Sequence, residues 1–206
     1  MTTESAARTD PGDSGPFTVE RLMTLGLIVL VMIALPRLLL TGSTPKEAAA
    51  ELPWTHHKSP DGGFEVDLPA APKRSTAMVK IDGEELPLMH TEARPQRDVS
   101  VLVACGELKA EPAEDARAAI LEGVARGLRA SLKLPGRAEP LQYLGRSGLQ
   151  LRGAPAPGVA FEGRILLSGR RLYQVLIMTR EELAPAITAR VFKSFQLTEA
   201  GSGDGE

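Results

Sequence analysis

Apolar positions along this chain change period as it proceeds. An unbroken run comes first, then short alternations of two, then a stride of four, then alternation again. The unbroken run opens at Leu22 and closes at Leu40 (LMTLGLIVLVMIALPRLLL), nineteen residues with one charge. At about 1.5 Å per residue a helix of that length reaches roughly 28 Å, close to the hydrocarbon thickness of a bilayer. Twelve of its positions are Leu, Ile or Val, each favourable by about 0.3–0.6 kcal/mol in mid-membrane. Together they outweigh Arg37, which lies near the end of the run, where its stem can reach the headgroups. Pro36 removes one backbone donor from the last turn. The pattern therefore predicts a transmembrane helix over 21–41.

A cleaved signal peptide is the main rival, with residues 22–35 as its apolar region and Ala48, Ala49 and Ala50 as small residues for cleavage. The long acidic tail before the run, and the distance of those alanines beyond it, weigh against cleavage. A lipoprotein anchor would need a Cys directly after the run, and none is there. Arg8 and Arg21 precede the span while Arg37 and Lys46 lie at or after it. The positive-inside rule thus comes close to a tie.

Period-2 alternation starts beyond Trp54. A strand over 54–58 leads to the turn chemistry of Ser59, Pro60, Asp61, Gly62 and Gly63. Phe64, Val66 and Leu68 then alternate with Glu65 and Asp67. Strands over 78–81 and 86–92 flank Asp82 and Gly83, a hairpin signal. Residues 99–105 (VSVLVAC) form a continuous apolar strand, expected at the centre of a sheet. Over 112–133 the period becomes helical. Ala116, Ile120, Val124, Leu128 and Leu132 step by four with Leu121 beside them, Glu114 and Asp115 favour the first turn, and Pro135 with Gly136 ends the helix. Gly123 and Gly127 read as close packing of this helix on a sheet.

Alternation returns at 140–144, 149–152 and 160–167, followed by the tight turn Ser168, Gly169, Arg170 and a second apolar strand over 171–179. A closing helix over 182–195 buries Ile187, Val191, Phe192 and Phe195. The predicted fold is α+β, an antiparallel sheet sandwiched by helices and preceded by one transmembrane helix. Residues 1–20 form a disordered tail, 42–52 a linker, 53–198 the folded domain and 199–206 a loose acidic tail.

Charge and cysteine content narrow the function. The chain carries 24 basic and 26 acidic residues, a balance that argues against a nucleic-acid-binding domain. One cysteine, Cys105, excludes an intrachain disulfide and leaves the compartment open.

Trp54 with residues 59–64, then Val66, Asp67, Leu68, Pro69 and Pro72, and later residues 169–174 with Phe192, Ser194 and Phe195, resemble the PsbP-like family. These are α/β/α sandwich domains of exported or membrane-anchored bacterial proteins. The resemblance spans nearly all of residues 54–197, but it rests on turn and core positions. It implies an antiparallel sheet between helices and a non-catalytic binding or accessory role, and it carries over no catalytic residues. It also favours a cytoplasmic tail and an exported domain.

Candidate chemistry is sparse. His56, His57 and His90 are the only histidines, and neighbours on a strand point to opposite faces, so at most one of the first two could join His90. No fixed-spacing ligand motif accompanies them, and exposed strand histidines are the simpler reading. Cys105 lies in an apolar strand and reads as an inert buried thiol. Asp82, Glu84 and Glu85 mark a solvated hairpin; Arg170 and Arg171 sit at a turn where they could meet an anionic partner. No phosphate-cradling glycine loop or nucleophile elbow is present.

These observations assign no catalytic, cofactor or metal residue. They predict a single-pass, membrane-anchored extracytoplasmic binding or accessory domain. Its expected partners are the membrane, through residues 22–40, and a protein or small ligand; nucleic acid is not among them. The alternative is an enzyme with a site made from His56 or His57 and His90.

Overall fold

The computed structural model describes residues 51–198 apart from 62, 82 and 83. The expected membrane segment, the tails and most of the linker lie outside the described residues. No helix among the described residues is long and apolar enough to cross a membrane.

Among the described residues ten strands and two helices follow one another. β1 (Thr55–Lys58) and β2 (Phe64–Leu68) form a hairpin, and β3 (Lys73–Ile81), β4 (Glu84–Gln96) and β5 (Val99–Glu107) a meander. After α1 (Glu114–Leu132) come β6 (Glu139–Tyr143), β7 (Arg146–Ala156), β8 (Val159–Ser168) and β9 (Arg171–Arg180), then α2 (Ala184–Ser194) and the short β10 (Gln196–Leu197). Seven strands form an antiparallel sheet in the order β3-β4-β5-β9-β8-β7-β6. β1, β2 and β10 form a separate sheet with β2 in the middle. The two apolar strands expected at the centre, β5 and β9, are hydrogen-bonded neighbours there, with Val101 opposite Ile177 and Val103 opposite Val175.

The large sheet is covered on both faces. One face carries Leu88, Leu102, Ile165, Leu172 and Leu176 and meets Val124, Leu128 and Leu132 of α1. The other carries Val101, Val103, Tyr173, Val175 and Ile177 and meets Ile187 and Val191 of α2 together with Phe64, Val66 and Leu68 of the small sheet. The expected sandwich is therefore made of a helix on one side and a helix plus a three-stranded sheet on the other. Two-sided covering explains why β9 is buried from Leu172 to Thr179: a strand with no solvent face has no polar alternation.

Several boundaries differ from those expected, for identifiable reasons. β4 and β7 run well beyond 92 and 152, because Pro95 and Pro155 lie inside register shifts, at Ala93/Gln96 and Gly153/Ala156. A bulge tolerates a residue that cannot donate to the ladder. α1 starts at Glu114 with Ala113 as cap, two residues later than Pro112 suggested. It ends at Lys133, whose φ of 53° is left-handed, before Pro135 and Gly136 are reached. Gly127 is buried as expected, but Gly123 is exposed and has no neighbour where a Cβ would stand. α2 covers less than 182–195, and Phe195 leaves it in extended conformation to lead into β10.

Candidate functional surface

The histidines are kept apart. β1 sends His57 inward with Val66 and His56 outward with Asp67, its register partner. His90 shares a face of β4 with Leu88, the face under α1, whereas the small sheet packs on the opposite face. The large sheet thus separates His57 from His90. Nor is His90 the exposed strand residue expected: it is buried, its Nε2 has no hydrogen-bond partner, and burial holds its pKa below the ordinary value.

His56 is exposed. Its Nδ1 lies 3.1 Å from Asp67 Oδ1 and its Nε2 lies 3.6 Å from Glu65, and the hydrogen bond to Asp67 raises its pKa. The second oxygen of Asp67 accepts from Arg190 Nε at 3.3 Å, and the Arg190 guanidinium stacks 4.2 Å from the Trp54 ring. Asp67 thereby fastens α2 to the outside of the small sheet. Ser194 reinforces this join by accepting from the Asp67 N–H at 2.9 Å.

The remaining singled-out groups are also committed to structure. Burial pushes the Cys105 thiol up to about 11, although the structure brings Arg171 near it, which sequence distance did not suggest. Arg170 and Arg171 both reach Glu107. Among the described residues no group of three or more His, Cys, Asp or Glu side chains is placed to hold a metal ion. Glu85 is exposed, as expected of a solvated hairpin.

A different region attracts attention, one that sequence reasoning did not single out. α2 rests on β9, β8 and the small sheet, and the same face of β6, β7 and β8 carries polar side chains that range from buried Gln150 to exposed Glu139 and Arg152. Alternation places Glu139, Leu141 and Tyr143 of β6 on that face, with Gln150 and Arg152 of β7 and Glu162 and Arg164 of β8. Glu162 is the hub. Its Oε1 accepts from Gln150 Nε2 at 2.5 Å and lies 3.5 Å from Arg152 and 4.0 Å from Arg164.

Arg164 is wedged between aromatic rings, its guanidinium carbon 3.8 Å from the Phe192 centroid and 4.5 Å from that of Tyr143. Stacking of this kind contributes about 0.5–2 kcal/mol, more as water is excluded. Tyr143 donates its hydroxyl to the Phe192 carbonyl, one of the acceptors left free at the end of α2. The helix end therefore forms one wall and the polar sheet face a floor. Such a surface can meet a polar partner by hydrogen bonds at its exposed residues, Glu139 and Arg152. The sequence carried a faint signal for it, since Gln150, Arg152, Glu162 and Arg164 put polar groups on alternate positions of otherwise apolar strands.

No protein-family model matches the sequence, and no curated protein matches it either. Among solved structures, the chain is similar to the solution structure of cyanobacterial PsbP (CyanoP) from Synechocystis sp. PCC 6803. The two share 13% identity with a TM-score of 0.47, over 79% of this chain and 98% of that one. A superposition this loose transfers neither a role nor a residue.

Proposed function

We propose that this protein is a membrane-anchored, extracytoplasmic binding or accessory domain without a catalytic centre, and that it works through the polar β6–β8 side. The observation that carries this reading is the contrast in how polar groups are used. Elsewhere His57, His90, Cys105 and Asp67 are buried, separated or tied into joins between layers. On β6–β8 a connected set around Glu162 lies beside α2, with Gln150 buried, Glu162 and Arg164 half-buried, and Arg152 and Glu139 exposed. The apolar run of residues 22–40 supports the anchoring part, being long enough to span a bilayer.

The intact protein should stay in the membrane pellet through a carbonate wash. Protease added outside sealed cells should remove the folded domain by cutting in the linker, residues 42–52. Release by carbonate, or a mature amino terminus near Glu51, would overturn the anchoring, and full protection of the domain from external protease would overturn its placement.

A further inference from the structure

We propose that the β6 edge of the domain lies against an anionic bilayer surface. The inference rests on the anchored reading above, and it concerns the β6 edge and the α1 side of the sheet rather than the face around Glu162. Although the chain as a whole is nearly neutral, its charge is unevenly placed. Residues 123–165, the second half of α1 through most of β8, hold seven basic residues against two acidic ones, a net of +5. The rest of residues 51–198 holds 13 basic against 16 acidic, a net of −3. The basic segment is also one region in space. β6, β7 and β8 are consecutive at one edge of the sheet, and α1 lies on β7 and β8.

Arginine partnering follows the same division. Outside the segment every described arginine but Arg74 and Arg97 faces a carboxylate: Arg94, Arg117, Arg170, Arg171, Arg180 and Arg190. Inside it Arg126, Lys133, Arg137 and Arg146 are exposed and have no ion-pair partner among the described residues. Exposed cations also stand elsewhere, at Lys58, Lys73, Arg74, Arg97 and Lys193, but there acidic residues outnumber basic ones; free charges on the net basic side attract an anionic surface over a distance set by salt.

Two features fit a lipid surface better than an acidic polypeptide strand. Pro140 stands in the outermost strand, where it blunts pairing with an added strand. At the tip of the β6–β7 hairpin Leu144 is 41% exposed, holds a left-handed φ of 53° and directly precedes Gly145 and Arg146. A leucine presented to solvent beside free cations is the amphipathic arrangement that an interface between headgroups and acyl chains accepts. The linker of residues 42–52 keeps the domain within reach of the bilayer that holds residues 22–40. Extended, it spans at most about 40 Å.

The test uses the full chain reconstituted into vesicles of phosphatidylcholine, with or without about 30% phosphatidylglycerol. Hydrogen exchange of the amides of β6 and β7 should slow about tenfold in the anionic vesicles and recover in high salt. Combined Lys133→Glu, Arg137→Glu and Arg146→Glu should abolish the slowing. Lys58→Glu, Arg97→Glu and Lys193→Glu, an equal change of net charge elsewhere, should leave it. Equal exchange in both vesicles, or equal loss with both triple variants, would overturn the inference. So would slowing by added polyglutamate but not by phosphatidylglycerol, which would assign an acidic polypeptide instead. Failure of the chain to float with phosphatidylcholine vesicles sinks the anchored reading alone, since exchange with anionic vesicles still reports the docking.

Discussion

The hydroxyl of Tyr173 donates to the carbonyl of Gly63 across 3.2 Å and 110 residues of sequence. This bond ties the turn between β1 and β2 to the central strand of the large sheet. Around it the Phe64 and Phe195 rings lie 5.8 Å apart, and Tyr173 meets Phe195 edge-on at 6.3 Å. Gly63 has no Cβ where one would stand 3.2 Å from Arg171 Nη1 and 3.4 Å from the Tyr173 hydroxyl. The separated stretches 59–64, 169–174 and 192–195 thus meet in one place, where they dock the small sheet and α2 onto the large sheet. Their role is to hold layers together.

Tyr173→Phe should cost about 1 kcal/mol, the net worth of one hydrogen bond. The loss stays modest because the Gly63 carbonyl also accepts from the Thr198 N–H at 3.4 Å. Tyr173→Ala should cost about 3–5 kcal/mol, since it empties a site that is only 2% exposed. Denaturant unfolding of the two variants checks this. Equal losses would mean that the ring contributes nothing beyond the hydroxyl.

How much of this was legible in the sequence depends on whether a signal was local. Phe64, Val66 and Leu68 alternate, α1 repeats by four, and β5 and β9 are continuous apolar runs; each element appeared where its own pattern put it. The pairing of β1 and β2 into a second sheet did not appear, because a period-2 pattern states which side is buried but not what covers it. β10 is two residues long and leaves no pattern. The polar β6–β8 face was hidden for a related reason. Glu162 and Arg164 look like ordinary surface alternation until the end of α2, far away in sequence, is seen to stop beside them.

The two faces of the central strands should fail separately. Leu176 points toward α1, and Phe195 lies in the core between the small sheet and the large one. Leu176→Ala should cost about 2–5 kcal/mol and Phe195→Ala about 3–5 kcal/mol. Both residues are 1% exposed, so solvent relieves neither loss. A loss below about 0.5 kcal/mol, as at surface sites, in either variant would refute covering of that face.

The histidines should titrate on opposite sides of the ordinary value of 6.5. His56 is raised by its hydrogen bond to Asp67, whereas His57 and His90 are lowered, mainly by burial. For a lowered histidine the unfolded chain takes up the proton first, so stability falls as pH drops below 6.5 toward the folded value. For His56 the sign reverses. Its contribution is present below 6.5 and is lost as pH rises through its raised value, and exposure to solvent keeps that contribution small. NMR titration of the imidazole protons would show one histidine above the ordinary value and two below; a single shared midpoint would refute the assigned environments.

Cys105 provides the sharpest test of the core beside Tyr173. The thiol is 3% exposed and its pKa is pushed from 9.0 to about 11, chiefly by burial. At pH 8 a thiol at about 11 is ionised in about one molecule in a thousand, against about one in ten at 9.0, so alkylation of the folded protein should be at least a hundredfold slower than of the unfolded chain. Burial of the sulfur adds to that factor. The raised value also has a consequence for stability. Between about 9 and about 11 the unfolded chain loses its thiol proton while the folded one keeps it, so stability falls as pH rises across that window. The full effect is on the order of 2–3 kcal/mol, present below the unfolded pKa and lost above it. Lysines and tyrosines titrate in the same range, so the measurement is the difference between wild type and Cys105→Ala at each pH. That difference should shift steadily against wild type from pH 9 upward. A flat difference, together with rapid alkylation of the folded protein, would place the thiol in contact with water and refute the packing of β5 against the small sheet.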